Sequence, residues 1–414
     1  MHQRPDVRLP VSRGCPFRVP PEYGQLRGER GLSTAELPGG MLAWLVTRLD
    51  DARTALSASG LTADRSDPLF PMPQKRPVPA GAPPRPALTA AQRRARSRGV
   101  SLIGMDPPEH TAARRTVISE FTARRVRGLR PRIQQIVDEQ VGAMLGAGPP
   151  ADLVSALSLP VPSQVICELL GVPYARHEFF QSRSAMLLSH QVAAEQRFEA
   201  LRELFGFLDE LVSAEEAAPG DNLLGRQVVR RATATDDDHR DLVSLAFLLL
   251  VAGHETTANM ISLGVLAVLR EPAELMAAVT DPNRVPLTVE EMLRYFSIAD
   301  IGVGRLALAG TEIGGSAVGD GEGVIISLLA ANHDPAAFPD PGRLDPARRS
   351  RPHVAFGSGP HQCLGQSLAR AELEIAYATL FRRIPGLRLA IPPDELAVKD
   401  DAFVYGLHEL PVTW

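Results

Sequence analysis

Cys363 sits in the run Phe356-Gly-Ser-Gly-Pro-His-Gln-Cys-Leu-Gly365, a glycine-rich loop followed directly by the helix-prone segment Leu364-Gly-Gln-Ser-Leu-Ala-Arg-Ala-Glu-Leu373. A sulfur at a helix N-terminus faces free backbone N–H groups and the positive end of the dipole. Both favour thiolate over thiol. The glycines let the backbone pass close to something flat and bulky. A single thiolate presented this way suits an axial haem ligand. It does not suit zinc, which needs several nearby ligands. The other cysteines, Cys15 and Cys167, are too scattered for a disulfide framework or a zinc cluster, and such sparse usage fits a reducing cytosol.

Other residues have types and spacing that could serve such a centre. In Leu249-Leu-Val-Ala-Gly-His-Glu-Thr-Thr257, Gly253 is a poor helix former, and Thr256 and Thr257 can bond back to carbonyls one turn earlier. Glu255 beside Thr256 in an apolar helix has the makings of a proton relay, and equally of a polar helix face. Glu291 and Arg294 form an i,i+3 acid–base pair, ordinarily a surface pair worth little. Three cationic groups remain: His110 with Arg114 on one helical turn, Arg305 in a β-like run, and His353 with His361 flanking the cysteine loop. The two propionate carboxylates of a haem would need such charge-assisted donors.

These groups must be positioned by a chain that reads as mainly α with small β-sheets. Apolar spacing near 3.6 predicts helices at 121–145, 153–170, 197–215, 239–270, 288–295 and 364–383. Short β-like runs fall at 302–309, 312–317, 323–326 and 387–390, with a further strand at 41–47 and a helix at 50–57. Residues 68–86 carry eight prolines and can hold neither helix nor sheet. They read as a surface linker or a mobile lid.

Composition bounds the function. The 414-residue chain is 44% hydrophobic and 22% charged, within the globular range, and its net charge of -4 gives no reason to expect nucleic-acid binding. Only Lys75 and Lys399 are lysines; the other cations are arginines. The start, Met1-His-Gln-Arg-Pro-Asp-Val-Arg8, shows no apolar signal region, and the longest apolar run is shorter than a membrane span needs. The expectation is a cytoplasmic protein that is not anchored in a membrane.

The Phe356–Gly365 loop, the Ala252-Gly-His-Glu-Thr-Thr257 segment and the Glu291-x-x-Arg294 pair together resemble the cytochrome P450s in order and spacing, over essentially the whole chain. Cys15-Pro-Phe17, Pro20-Pro-Glu-Tyr23 and the end, Tyr405 to Trp414, are similar to the soluble actinobacterial branch that tailors polyketides and macrolides. The resemblance implies the cytochrome P450 fold as a single domain over 1–414, with haem b as cofactor. It makes Cys363 the thiolate ligand of the haem iron, Phe356 the aromatic beside the sulfur, and Gly357, Gly359 and Gly365 the close-approach glycines. Thr256 matches the hydroxyl that assists dioxygen activation, and Glu255 the adjacent acid in proton delivery. Glu291 and Arg294 match a buried pair bracing the haem core. His110, Arg114, Arg305, His353 and His361 match propionate ligands. Leu248, Val251, Ala252, Ile298, Ile301, Val303 and Phe403 match the substrate-pocket wall, where Asp300 is the one charge and is expected to face solvent. Two departures stand out: His333 where the family often has arginine, and a longer proline- and arginine-rich loop at 68–100, expected over the substrate mouth.

The implied reaction is monooxygenation: one oxygen atom of O2 enters a lipophilic small molecule and the other leaves as water. Hydroxylation is the leading outcome; epoxidation, oxidative coupling and C–C cleavage are alternatives, and a non-catalytic haem-thiolate ligand-binding protein is another. No flavin or nicotinamide segment is evident, so electrons are expected from a ferredoxin and its reductase. Arg114, Arg115, Arg124, Arg125, Arg127, Arg130 and Arg132 offer a basic face for an acidic ferredoxin. A monomer is the default.

Overall fold

The computed structural model describes residues 5–27, 32–38, 40–72, 89, 101–189, 191–231, 236–300, 303–308, 310–348, 352–400 and 402–414. Most of the loop expected over the substrate mouth, residues 73–88 and 90–100, therefore lies outside the described residues, as does Ile301. The chain divides into two compact units. The first comprises Met1–Ala112, Arg294–Leu344 and Ser350–Cys363; the second comprises Ala113–Leu293, Asp345–Arg349 and Leu364–Trp414.

In chain order, the described elements begin with β1 (Val7–Arg8), α1 (Pro21–Leu26), β2 (Ser33–Glu36), β3 (Leu42–Val46), α2 (Leu49–Ser57) and β4 (Leu61–Thr62). Then come α3 (Glu109–Val117), α4 (Ala123–Ala147), β5 (Ala151–Asp152), α5 (Pro160–Leu170), α6 (His177–Leu188), α7 (Ala194–Ala217) and α8 (Leu223–Arg230). The long α9 (Asp236–Arg270), α10 (Pro272–Thr280) and α11 (Val285–Phe296) follow. The last third adds β6 (Gly304–Ala307), β7 (Thr311–Ile313), β8 (Ser316–Val318), β9 (Gly323–Ile326), α12 (Leu328–Asn332), α13 (Gln366–Arg383), β10 (Arg388–Leu389) and β11 (Pro411–Thr413). This is the mainly α architecture with small sheets that the sequence predicts.

The first unit is built on a six-stranded sheet of order β1-β2-β3-β9-β6-β4. Arg305 on β6 lies opposite Val324 on β9. Against the sheet packs an apolar cluster that includes Val46, Leu49, Leu56, Ile326, Phe338 and Val354. Each such large side chain contributes roughly 1.5–3 kcal/mol by leaving water. The proline-rich segment is anchored at its start. Phe70 is buried, and a Cβ at Gly304 would lie 2.8 Å from the Pro71 carbonyl oxygen, so β6 takes glycine there. The run at 312–317, read as one strand, is instead the hairpin β7–β8, folded back at Gly314 and Gly315 with φ of +56° and +75°.

The second unit is centred on α9, which packs against α5, α7 and α13. By length and composition α9 could cross a membrane, but Leu242, Ala246, Leu250, Ile261 and Val265 are buried inside the protein, which makes it a core helix. Gly253 has a packing reason that its low helix propensity conceals: a Cβ there would come within 2.9 Å of Ile166 on α5. Tyr377 on α13 donates to the Met260 carbonyl at 2.5 Å. Sequence periodicity missed α6, because its apolar residues, Phe179, Phe180 and Met186 to Leu188, form no 3.6-residue stripe.

His333, the departure from the family pattern, is buried in the first unit. Its Nδ1 bonds the Leu329 carbonyl at 3.0 Å and its ring meets Tyr295 edge-on. Burial, reinforced by the Arg294 charge, pushes its pKa down to about 3. The unfolded chain therefore binds the proton first, so stability is lost as pH falls from about 6.5 toward 3, at about 1.4 kcal/mol per pH unit. His333→Leu is expected to flatten this part of the stability–pH curve, read by urea unfolding. Parallel curves for the two proteins would show that His333 does not titrate on unfolding.

Candidate active site

In the first unit, the cysteine loop is shaped before any ligand is considered. Gly357 and Gly359 adopt φ of +71° and +69°, open to glycine at little cost. A Cβ at Gly359 would also stand 2.8 Å from Ser57 Oγ and 2.9 Å from the Leu56 carbonyl oxygen, which fixes the loop against the end of α2. The Cys363 N–H donates to the Phe356 carbonyl at 2.8 Å, closing the loop on itself, and Cys363 itself is exposed. α13 begins three residues later, with Gly365 as its N-cap. Nothing lies within 4 Å of a Cβ built at Gly365.

Several predicted cationic side chains fall in this unit. His110 is buried and its ring lies 4.2 Å from that of His361. His353 is buried, 6.2 Å from the Phe356 ring. Arg305 is 8% exposed and donates to the Gly304 carbonyl at 2.8 Å. Burial, together with the neighbouring Arg65 charge, pushes its pKa down to about 10 against the opposing pull of Asp106. Burial also lowers Arg65. Sequence reasoning missed Arg65, which carries no spacing signal. Two desolvated guanidiniums side by side, and the imidazoles of the same unit, are donors that suit anionic groups. That donor set, with an exposed cysteine on a glycine loop, fits a haem with its two propionates. Arg114, on α3, falls in the second unit and is half-buried.

Of the predicted pocket residues in the first unit, Ile298 and Val303 are half-buried, and Val303 packs on the apolar cluster under the sheet. Asp300 does not face solvent. Its carboxylate accepts from the Tyr23 hydroxyl at 2.6 Å, from Ser327 Oγ and from the Leu329 N–H at 3.1 Å. Burial raises its pKa. It braces the fold and leaves the predicted wall apolar.

The second unit holds the acid–hydroxyl pair at the middle of α9. Ala252 is exposed and Leu248, Val251 and Thr256 are half-buried, while Leu249, Leu250, His254, Glu255 and Thr257 are buried. The accessible positions recur at helical spacing and form one open stripe on a core helix. Thr256 Oγ1 donates to the Ala252 carbonyl at 2.9 Å, so the hydroxyl is fixed on that stripe. Glu255 accepts from Lys399 Nζ at 2.7 Å. Burial would raise the Glu255 carboxyl, but the Lys399 charge and hydrogen bond outweigh it and hold the pKa below the usual value. Lys399 escaped the sequence reading, although its rarity as one of two lysines was a signal. Phe403 is half-buried and its N–H donates to the Leu188 carbonyl at 3.0 Å.

Glu291 and Arg294 are both fully buried, which sets aside the surface-pair alternative. In the second unit, Glu291 Oε1 accepts from Arg348 Nε at 3.1 Å and from the Asp345 N–H at 3.0 Å. In the first, Arg294 donates to the carbonyls of Asn332, Pro341 and Arg343 at 2.8, 3.0 and 3.3 Å.

The chain belongs to the cytochrome P450 family. The family described as Cytochrome P450 matches residues 175–386. Pentalenic acid synthase of Streptomyces avermitilis is 46% identical over 408 residues, covering 99% of this chain and 97% of that protein. The crystal structure of cytochrome P450 MoxA from Nonomuraea recticatena superposes with a TM-score of 0.86 at 50% identity, covering 99% of this chain and 98% of the other. Mycinamicin VIII C21 methyl hydroxylase from Micromonospora griseorubida, solved with mycinamicin VIII bound, gives 0.88 at 39% identity, covering 99% and 100%. The protein is therefore a haem-thiolate monooxygenase that acts with O2 on lipophilic small molecules and draws electrons from a redox partner.

Proposed function

We propose that this protein hydroxylates a secondary metabolite of polyketide or macrolide type. The open stripe on α9 carries this reading: apolar Leu248, Val251 and Ala252 run into Thr256, with Glu255 adjacent. A lipophilic skeleton suits such a wall, and no charged side chain lies on that stripe. The hydroxylase of mycinamicin VIII, a relative by sequence and structure, supports the substrate class. A screen of macrolides and related polyketides for haem spin-state shifts, followed by product analysis, tests it. Binding of small polar molecules alone would contradict it.

In this reading Cys363 binds the haem iron, with Phe356, Gly357 and Gly365 around it, and His110, Arg114, Arg305, His353 and His361 hold the propionates. Arg65 joins them as a further cation. Haem, when bound, supplies the chemistry that activates O2. Thr256 holds a proton at its hydroxyl beside the reacting groups, and Glu255 resupplies it as a carboxyl carrier. By resemblance to the family, Ile298, Val303 and Phe403 are assigned to the apolar wall, a lining that would exclude water. The same reading takes residues 1–414 as one P450 domain, working as a cytoplasmic monomer. Positioned acid–base groups contribute about 10²–10⁴-fold. Thr256→Ala is accordingly expected to cut product formed per electron consumed about 100-fold or more, with hydrogen peroxide released instead. Unchanged coupling would remove Thr256 from the relay.

A ferredoxin supplies the electrons, and the basic face that receives it is narrower than the sequence suggests. Arg125, Arg130 and Arg132 are paired with Glu120, Glu374 and Glu168 at 3.8, 2.8 and 2.5 Å. Arg115, Arg124 and Arg127 are exposed and, among the described residues, carry no ion pair. Reversing Arg124 and Arg127 to glutamate is expected to slow electron transfer roughly 10-fold or more at low salt, the difference fading as salt rises. Salt-insensitive, unchanged rates in stopped-flow reduction would count against docking there.

A further inference from the structure

The described partner of Glu255 comes from a distant part of the chain. Val398 and Leu407 form an antiparallel bridge, and the Lys399 N–H donates to the Gly406 carbonyl at 2.8 Å, so the stretches 398–400 and 402–407 are the two arms of a hairpin, the 398–407 hairpin. Gly406 is seated on α9: a Cβ there would stand 2.1 Å from Asn259 Oδ1, which only glycine avoids. Asn259 lies one helical turn beyond Glu255 on the same face. This docking puts Lys399 Nζ 2.7 Å from Glu255 Oε1 and 3.3 Å from Asn259 Oδ1. Among the described residues, the other titratable group against the carboxylate is His254. Burial lowers its pKa, and its Nδ1 is committed to the Leu250 carbonyl at 2.6 Å. Lys399 is thus the cation that compensates a carboxylate only 7% exposed. The same hairpin is tied at its tip to the end of α6, by the Ser189–Ala402 bridge and the Phe403 N–H to the Leu188 carbonyl.

We propose that Lys399 is a positioning residue for proton delivery: it holds Glu255 ionised and clamped to the 398–407 hairpin, so that seating of this hairpin on α9 governs when the carboxylate can serve Thr256. The proposal rests on the monooxygenase reading of Glu255 and Thr256. A lysine suits the task better than the arginines used almost everywhere else in the chain. Its ammonium is a single point charge on a flexible stem, able to release one carboxylate oxygen, where an arginine fork would grip both.

The scarcity of lysine makes the contact directly observable. Reductive ¹³C-methylation of the holoenzyme gives lysine signals from Lys75 and Lys399 alone, assigned with Lys75→Arg and Lys399→Arg. The Lys399 signal is expected to move in Glu255→Gln while the Lys75 signal stays. In the unaltered protein it should also register titration of a carboxyl below the usual range, absent in Glu255→Gln. In turnover, Lys399→Met should move the limb of the pH profile that Glu255 sets upward by about 1–3 units, as a buried carboxyl losing its cation does. Lys399→Arg should keep that limb in place while lowering the product formed per electron. A Lys399 signal indifferent to Glu255→Gln, or a Glu255-dependent limb that does not move in Lys399→Met, overturns the proposal. Failure of the monooxygenase reading looks different, because it removes the thiolate signature from the unaltered protein's carbon monoxide spectrum.

Discussion

Cys363→Ala is expected to abolish monooxygenation and the thiolate signature together. Loss of an outer partner of a metal ligand costs about 10–100-fold, so loss of the ligand itself should cost more. The loop around it should survive, because its geometry has other sources. Gly359 is fixed by Ser57 and Leu56, and the bond that closes the loop on the Phe356 carbonyl uses the backbone N–H of residue 363, which alanine keeps. The purified variant should therefore fold, with an unfolding midpoint near that of the unaltered apoprotein, while its haem content falls and its reduced carbon monoxide complex shows no red-shifted Soret band. Retention of full activity would remove Cys363 from the chemistry.

Arg294→Met is expected to be the most destabilising single substitution on the buried network. Its guanidinium is fully enclosed, supplies three carbonyls and lies over the Phe338 and Tyr295 rings at 5.2 and 5.8 Å. Methionine matches much of the volume and none of the donors. An orphaned buried acceptor costs about 1–3 kcal/mol, and breaking a buried charge network about 3–5 kcal/mol. A loss of roughly 3–5 kcal/mol should follow, read as a lower urea midpoint at unchanged slope. Arg294→Lys should recover only part of it, because one ammonium cannot span three carbonyls set for a planar fork. A loss below about 1 kcal/mol would show that other donors take over these carbonyls.

Much of the site was legible in the sequence because its groups are local or patterned. The Cys363 loop announces itself through glycines whose positive φ is needed in place, and the Glu255–Thr256 pair through polar residues breaking an apolar helix. The long core helix showed through its periodicity, and β9 within its stated bounds. What could not be read depends on contacts between distant residues. Glu291 and Arg294 look like a surface pair until burial is seen, and only the resemblance to a family predicted otherwise. Asp300 looks like a charge in a pocket wall, yet Tyr23 and Ser327 hold it, some 277 and 27 residues away in sequence. Gly253 looks like a flaw in a helix until Ile166 is placed against it. Lys399 meets Glu255 across 144 residues, through a hairpin seated by Gly406. Periodicity and spacing cannot report such meetings, because they record only what neighbours along the chain have in common.

The central claim is that Cys363, as a thiolate, binds haem iron in this protein. The most direct test is the absorption spectrum of the purified, dithionite-reduced protein under carbon monoxide. A strongly red-shifted Soret band, lost in Cys363→Ala, is the predicted result. Absence of haem, or a carbon monoxide band at the position given by neutral nitrogen ligands, would contradict it.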